Sequence, residues 1–445
     1  MADYNFAGDI DIEQITIVGQ YGEVFNITEM FLECNIYQNI FKHYLECDIV
    51  ISDAININRN LLSNDQEMIP VGFKGYETLV ISYRERTDPS EDARIPLKRH
   101  IFGIYEISDR GRDTEGAESY VISGISLEAY QSVSTKISKG YGNGGGNSVA
   151  NMVRSVIKEY VLSESALTEY NNLGIEKTIT IDETSGKDSY VIPNYSIDQT
   201  LEFFCKEADS KEHYPYFVFY ENSKGYNFRN IPKLIQDGEI DFTYHYYPMN
   251  YDQVNTGDDI ENDDQYKIIS YVTLKENNSI ENIKDGMFKS KSIGIDILRK
   301  RKLEKVFDYE KEYEHFYTQN GGKYNREIFG DPVINVDYTR FGHDNDSIFK
   351  EKQTAKKDIL IKNRRTSYHK QIFNNIIEVT IPGDSSKNVG ELIDLAFYIN
   401  NDIEDTKYEL DKTISGQYLI TKVRQQMSPE SLTTILECSK DSAMI

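Results

Sequence analysis

Two stretches of this chain, more than three hundred residues apart, follow the same plan. RHIFGIYEIS (Arg99–Ser108) and TISGQYLITKVR (Thr413–Arg424) both carry Gly, any residue, Tyr, any residue, Ile: Gly103, Tyr105 and Ile107 in the first, Gly416, Tyr418 and Ile420 in the second. Their flanks repeat as well. ECDIVISDA (Glu46–Ala54), GYETLVISYR (Gly75–Arg84) and SYVISGIS (Ser119–Ser126) surround the first copy, and NIIEVTIPGD (Asn375–Asp384), GELIDLAFYI (Gly390–Ile399) and LTTILECS (Leu432–Ser439) surround the second. Short segments rich in β-branched and aromatic residues, parted by polar or Pro-containing loops, read as antiparallel meanders, and the motif falls on the third member each time. From Asp48 to Tyr105 is 57 residues and from Glu378 to Tyr418 is 40, a difference that loops absorb at small entropic cost. The expectation is a duplicated β-barrel or sandwich domain. The glycine then serves a bend or a close backbone approach, and Tyr105 and Tyr418 pack at matching positions.

Between the copies the period changes. KGYGNGGGNS (Lys139–Ser148) reads as a hinge loop, and Val149, Met152, Val153, Val156, Ile157 and Tyr160 then recur at helical spacing. Ser196 with Gln199 forms a capping-box signature for a second helix whose apolar face is Ile197, Leu201, Phe204, Cys205 and Ala208. YPYFVFYENSKGYNFRNI (Tyr214–Ile231) predicts a hairpin turning at NSKG. Residues 236–265 hold nine acidic side chains and no Lys or Arg, whereas residues 350–370 are rich in Lys and Arg. Such opposed blocks suit solvated faces or docking to a charged partner.

A net charge of −24 excludes a general nucleic-acid-binding surface, since neutralisation of phosphate by Lys and Arg supplies most such affinity. An acidic wall would instead let DNA pass without capture. The amino terminus lacks the pattern of a secretory signal and no stretch approaches a membrane span, which predicts folding in a cytoplasm. The cysteines Cys34, Cys47, Cys205 and Cys438 lie far apart, so reduced, buried thiols are expected.

Motifs for chemistry lack their context. Gly140, Gly142 and Gly145 have dinucleotide-fingerprint spacing, but an antiparallel meander precedes them where a βαβ unit is required. The seven His form no H-E-x-x-H pattern, and the acidic runs at Thr256 and His343 lack the glycine and terminal glutamate of a calcium loop. No catalytic, cofactor-binding or metal residue is therefore assigned, and no activity is expected. The rival readings are a peptidoglycan-degrading enzyme, which needs a deep acidic cleft, and a glycan-binding adhesin, which needs exposed aromatics and an export signal.

The order of features resembles the baseplate hub proteins of contractile-tailed bacteriophages and, more distantly, the hub part of type VI secretion spikes. The resemblance rests on FLECNIYQNIF (Phe31–Phe41), ECDIVISDA, MIPVGFKGYETLVISY (Met68–Tyr83), the connector helices, FVFYENSKGYNF (Phe217–Phe228), and the run from GDSSKNVGELIDL (Gly383–Leu395) through SGQYLITKVRQQM (Ser415–Met427) to LECSKDS (Leu436–Ser442). It implies an α+β, mainly β chain with two tandem tail-tube-like antiparallel β-barrels, a helical connector and an inserted α/β domain. The implied boundaries are 1–135 for the first barrel, 136–213 for the connector, 214–235 with 366–445 for a discontinuous second barrel, and 236–365 for the insertion. It also implies a homotrimer in the virion baseplate, adapting a six-fold tail tube to a three-fold spike, and the hub of another contractile injection system is the neighbouring reading. Implied partners are the spike, the tail tube ring, and tape-measure and baseplate wedge proteins. DNA passes through unbound, and no stable membrane association or cofactor is implied. Arg299, Lys300, Arg301, Lys302, Arg364 and Arg365 are the candidate partner contacts, expected to face protein neighbours.

Overall fold

The computed structural model describes residues 7–19, 22–54, 75, 77–86, 97–112, 117–142, 146–212, 214–240, 242–247, 266–296, 301–312, 318–321, 333–337, 353–399 and 409–444. The chain opens with β1 (Asp9–Val18), β2 (Val24–Asn26), β3 (Phe31–Asn39), β4 (Glu46–Asp53), β5 (Thr78–Arg86), β6 (Lys98–Arg112) and β7 (Glu118–Ile125). A helical section follows: α1 (Glu128–Ser134), β8 (Lys136–Tyr141), α2 (Val149–Val156), which runs on as a π-turn over Ile157–Val161, α3 (Glu164–Asn172), β9 (Thr178–Ile181), β10 (Tyr190–Ser196) and α4 (Ile197–Glu207). Next come β11 (Phe217–Asn222), β12 (Gly225–Asn230), α5 (Ile231–Asp237), β13 (Thr243–Tyr246), β14 (Ser270–Glu276), α6 (Ser279–Lys284), β15 (Lys289–Asp296), β16 (Arg301–Asp308), α7 (Tyr309–Glu312), β17 (Val333–Asp337) and α8 (Gln353–Ile372). The chain closes with β18 (Asn375–Pro382), β19 (Leu392–Ile399), β20 (Glu409–Leu410), β21 (Gly416–Met427) and β22 (Leu432–Lys440).

The fold is mainly β and of the α+β class, dominated by one large antiparallel sheet. Its path runs β14-β18-β22-β21-β3-β4-β7-β6-β5-β1-β2, with β19 also pairing β21, and β13 and β20 pairing β19. The two meanders are therefore joined edge to edge where β21 meets β3. Two separate closed barrels were expected; among the described residues the path of paired strands is open, ending at β2 and β14.

Three apolar cores sit on this frame. Ile15, Ile49, Ile81, Phe102 and Ile122 fill the first lobe of the sheet. Val379, Leu395, Phe397, Tyr418 and Leu436 fill the second. A third core lies in the connector, where Val149, Met152, Val153, Val156 and Ile157 from α2 meet Ile197, Leu201, Phe204 and Ala208. The helix spacing read from sequence holds, because Ser148 caps α2 and the Ser196–Gln199 capping box makes both of its bonds, at 3.0 and 3.2 Å. Of the cysteines, Cys34, Cys47 and Cys438 are buried free thiols and Cys205 is half-buried.

The hairpin corrects one assignment. It turns where NSKG predicts, with Asn222 opposite Gly225, but it joins β9 in a three-stranded sheet of its own and does not pair with the strands after 370. All of β11 is buried because both faces are covered: Phe217 and Phe219 enter the connector core, while Tyr216, Val218 and Tyr220 enter the second lobe's core. The strands that extend the second lobe come from the charged stretch instead, as β13 alongside β19 and β14 against β18. A period of two with both faces apolar does not reveal which ladder a strand joins. The rest of that stretch holds β15, β16 and β17 in a separate sheet, against which α8 packs, with Ser292 donating to Asn363 at 2.7 Å.

Candidate functional site

The site of interest is the seam between the lobes, and its meaning comes from strand register. In the first lobe β4, β7, β6 and β5 pair in that order, and in the second β18, β22, β21 and β19 do the same. Each middle ladder carries a register shift that fixes the alignment, and the β6–β7 ladder has a second one, between Ser108 and Gly111. Tyr105 is the extra residue between Ile104, opposite Gly124, and Glu106, opposite Ser123; Thr421 is the extra residue between Ile420, opposite Cys438, and Lys422, opposite Glu437. From that anchor Ile49 corresponds to Val379, Ile81 to Leu395, Tyr83 to Phe397, Ile122 to Leu436 and Phe102 to Tyr418, and every member of these pairs is buried.

The strands thus repeat, but the Gly-x-Tyr-x-Ile match is three residues out of step with them. Tyr418 is 2% exposed, as expected, whereas Tyr105 is 49% exposed and does not share its position. The bulge turns Tyr105 out of the alternation that the sequence pattern assumes. The glycines do serve close approaches, each in its own way. A Cβ on Gly103 would collide with the ring of Tyr130, whose hydroxyl donates to the Ile104 carbonyl at 2.7 Å. Gly416 has φ +126°, a backbone that L side chains rarely adopt.

Along the seam, Lys422 to Met427 pair with Asn39 to Cys34. Arg424 spans it, donating to Asn35 at 2.8 Å and Glu33 at 3.2 Å with its guanidinium 5.9 Å from the Tyr37 ring centroid. The loop before β19 closes over the same junction: the Val389 amide donates to the Gln38 side chain at 3.3 Å and the Ser385 amide to Glu85 at 3.0 Å. Burial raises the pKa of Glu85, opposed by its Ser385 and Lys98 contacts.

The connector is locked to the sheet by a buried charge cluster. Lys177 lies 2.9 Å from both Glu128 and Glu221, and Glu221 also accepts from the Leu45 amide at 3.0 Å and Ser126 at 2.6 Å. Burial opposes the Lys177 ammonium, but the Glu221 and Glu128 carboxylates outweigh it and hold the pKa above the ordinary lysine value. Burial also pushes Glu221 up, as expected where two carboxylates share one cation in a dry site. No sequence motif marked these three residues, because their charges are ordinary until the fold removes the water.

Of the basic candidates, Arg364 and Arg365 are engaged within the chain. Arg364 pairs with Glu312 at 2.5 Å, and Lys370 pairs with Glu281 at 2.7 Å and Asp285 at 2.6 Å. Arg365 donates to the carbonyls of Pro215 at 2.8 Å, Cys205 at 2.9 Å and Lys206, and burial lowers its pKa. Arg364 and Arg365 were expected to face neighbouring proteins; within this chain they are held by Glu312 and by the carbonyls of Pro215, Cys205 and Lys206. Lys302 pairs with Glu304, Arg301 begins β16, and Arg299 and Lys300 lie outside the described residues. Among the described residues no cluster of three or more His, Cys, Asp or Glu could hold a metal, and no helix is long and apolar enough to cross a membrane.

No protein-family profile and no curated protein matches this chain. Solved structures do. A 43 kDa tail protein of prophage MuSo2 from Shewanella oneidensis aligns over 97% of this chain and 99% of its own, with a TM-score of 0.52 at 10% identity. This chain has the fold of a phage tail protein. A tail protein from Neisseria meningitidis MC58 aligns over 96% of both chains, with a TM-score of 0.48 at 9% identity. Of the resemblance read from the sequence, this likeness shows the fold, that of a phage tail protein.

Proposed function

We propose that this protein is the structural hub of a phage tail baseplate, a homotrimeric adaptor between the six-fold tail tube and a three-fold, cell-puncturing spike, without catalytic activity of its own. The observation that carries the reading is the repeated strand order, β4-β7-β6-β5 and β18-β22-β21-β19, in a chain with a phage tail-protein fold. Two tube-like units per chain let three chains present six similar faces, the smallest closed set that meets a six-fold ring. Each lobe is a tube-like barrel unit whose remaining closure comes from assembly. The helical section over 136–213 holds them, and the region around β15, β16, β17 and α8 is an inserted α/β unit.

The charge fits the same role. At −24 per chain, a ring of these subunits repels DNA from its wall and lets it thread without capture. Its partners are the spike and the tube ring, with tape-measure and baseplate wedge proteins alongside. Mass photometry of the protein with its spike tests this directly: a complex containing three copies is expected, and two or six copies would overturn the reading. A cell-wall turbidity assay is expected to show no hydrolysis, and hydrolysis abolished by one Asp or Glu substitution would establish the enzyme instead.

A further inference from the structure

The Lys177 cluster gathers reactive groups as well as charges. The lysine side chain is 11% exposed, and those of Glu128 and Glu221 are 5% and 1% exposed. The ammonium sits 4.4 Å from the Tyr170 ring centroid and 5.4 Å from that of Tyr226, and it meets both carboxylates at 2.9 Å. Strand order brings these groups together. Lys177 directly precedes β9, Tyr226 on β12 lies opposite Ile179, and Glu221 on β11 lies opposite Tyr226, so the lysine reaches across the middle strand of the small sheet. Glu128 comes from the start of α1, just beyond the first lobe.

The two carboxylates differ in their partners. Oε2 of Glu221 accepts from the Leu45 amide at 3.0 Å and from the Ser126 hydroxyl at 2.6 Å, while its Oε1 faces Lys177. Two fixed donors on one oxygen draw electron density from the carboxyl carbon and stabilise the charge that attack on that carbon would place there. Oε1 of Glu128 lies against the same ammonium, and its Oε2 is buried with no hydrogen-bond partner. Glu128 is therefore placed to accept a proton. A nucleophile, an acyl carbon and a base are held in contact where water is excluded.

We propose that Lys177 and Glu221 condense to an intramolecular amide, with Glu128 as the base. Glu221 enters as the carboxylic acid, the form that its burial favours. Glu128 takes one proton from the Lys177 ammonium, and the freed lone pair forms the N–C bond to the Glu221 carboxyl carbon. Charge gathers on Oε2, where the Leu45 amide and Ser126 hydroxyl hold it. The C–Oε1 bond then breaks, and Oε1 leaves as water with its own hydrogen and a second one from the nitrogen. The products are an amide, a protonated Glu128 and one water, with no oxidant or outside reagent consumed. Both carboxylates hold Lys177 above the ordinary lysine value, which makes the free amine scarce and the reaction slow. Each chain reacts only once, and the product removes both buried charges from a dry site. The bond joins positions 44 residues apart and ties β9 to β11 covalently around the connector core. It is chemistry within one chain and does not depend on the trimer.

The test is intact mass spectrometry of the purified full chain after incubation under native conditions, followed by a proteolytic peptide map. The expected mass falls short of the sequence mass by one water, with Lys177 joined to Glu221. Glu221→Gln should lose one ammonia instead, because the same carbon is attacked and a different group leaves. Lys177→Arg, which keeps the cation, and Glu128→Gln should each retain full mass and the circular dichroism of the parent. A folded parent chain that keeps its full sequence mass would overturn the proposal. So would a linkage that survives Glu128→Gln, or one that joins Lys177 to Glu128.

Discussion

The two lobes share a strand plan and differ in what covers it. In the second, the outer half of β21 is sealed by β3, and Thr421, Val423, Gln425 and Met427 are all buried. In the first, the matching half of β6 has no described partner on that side, and Tyr105 and Glu106 stand in solvent. The ladder and the bulge are the same in both lobes, while the side chains differ with the surroundings of each. Topology tolerates exchange of one apolar residue for another of similar size, whereas a position that changes from seam to edge loses the packing that selected its side chain.

The largest effects should come from the core positions that the bulge alignment makes equivalent. Phe102→Ala and Tyr418→Ala are each expected to cost about 3 kcal/mol or more through the cavity left behind, and Tyr105→Ala in the isolated chain under about 0.5 kcal/mol. Denaturant titration of the three variants would break the comparison if Tyr105 proved the costly one. Next, Lys177→Met leaves Glu128 and Glu221 buried without their cation, with an expected loss of about 3 kcal/mol. The exposed Lys42–Glu46 pair, by contrast, should contribute under about 1 kcal/mol, measured the same way.

Acid should weaken both lobes. Burial lowers His100, between the rings of Tyr83 and Phe102, to about 4, and lowers His369, beside Tyr216, to about 4 as well. The unfolded chain takes up these protons near the ordinary value of 6.5, so stability falls as pH drops from there toward 4 and the contribution levels off below it. The loss is at most about 3 kcal/mol per histidine. Chemical denaturation at stepped pH should show a shallower slope in a His100→Asn, His369→Asn double variant, and an unchanged slope would remove the histidines from the account. The smallest contrast sits at the seam itself: Arg424→Ala is expected to cost about 1 kcal/mol through its bonds to Asn35 and Glu33, and Ser108→Ala at the matching place almost nothing.

Periodicity and capping are local, so the chain alone specified the strands of its two meanders, the helices α2 and α4 with the capping box of α4, the hairpin turn, and the fact that a meander occurs twice. It also specified the acidic balance, a net charge of −24. Matching short phrases did not specify register, because one bulge shifts every side chain beyond it, and Tyr105 aligned with Tyr418 in letters while Phe102 took its place in space. Nor could the sequence say that β11 and β12 would join β9, that β14 would extend the second lobe, or that Arg364 and Arg365 would be used internally. Those outcomes depend on which distant edge or charge lies nearest after collapse. A burial pattern records whether a face is covered, and only the packed structure decides by what.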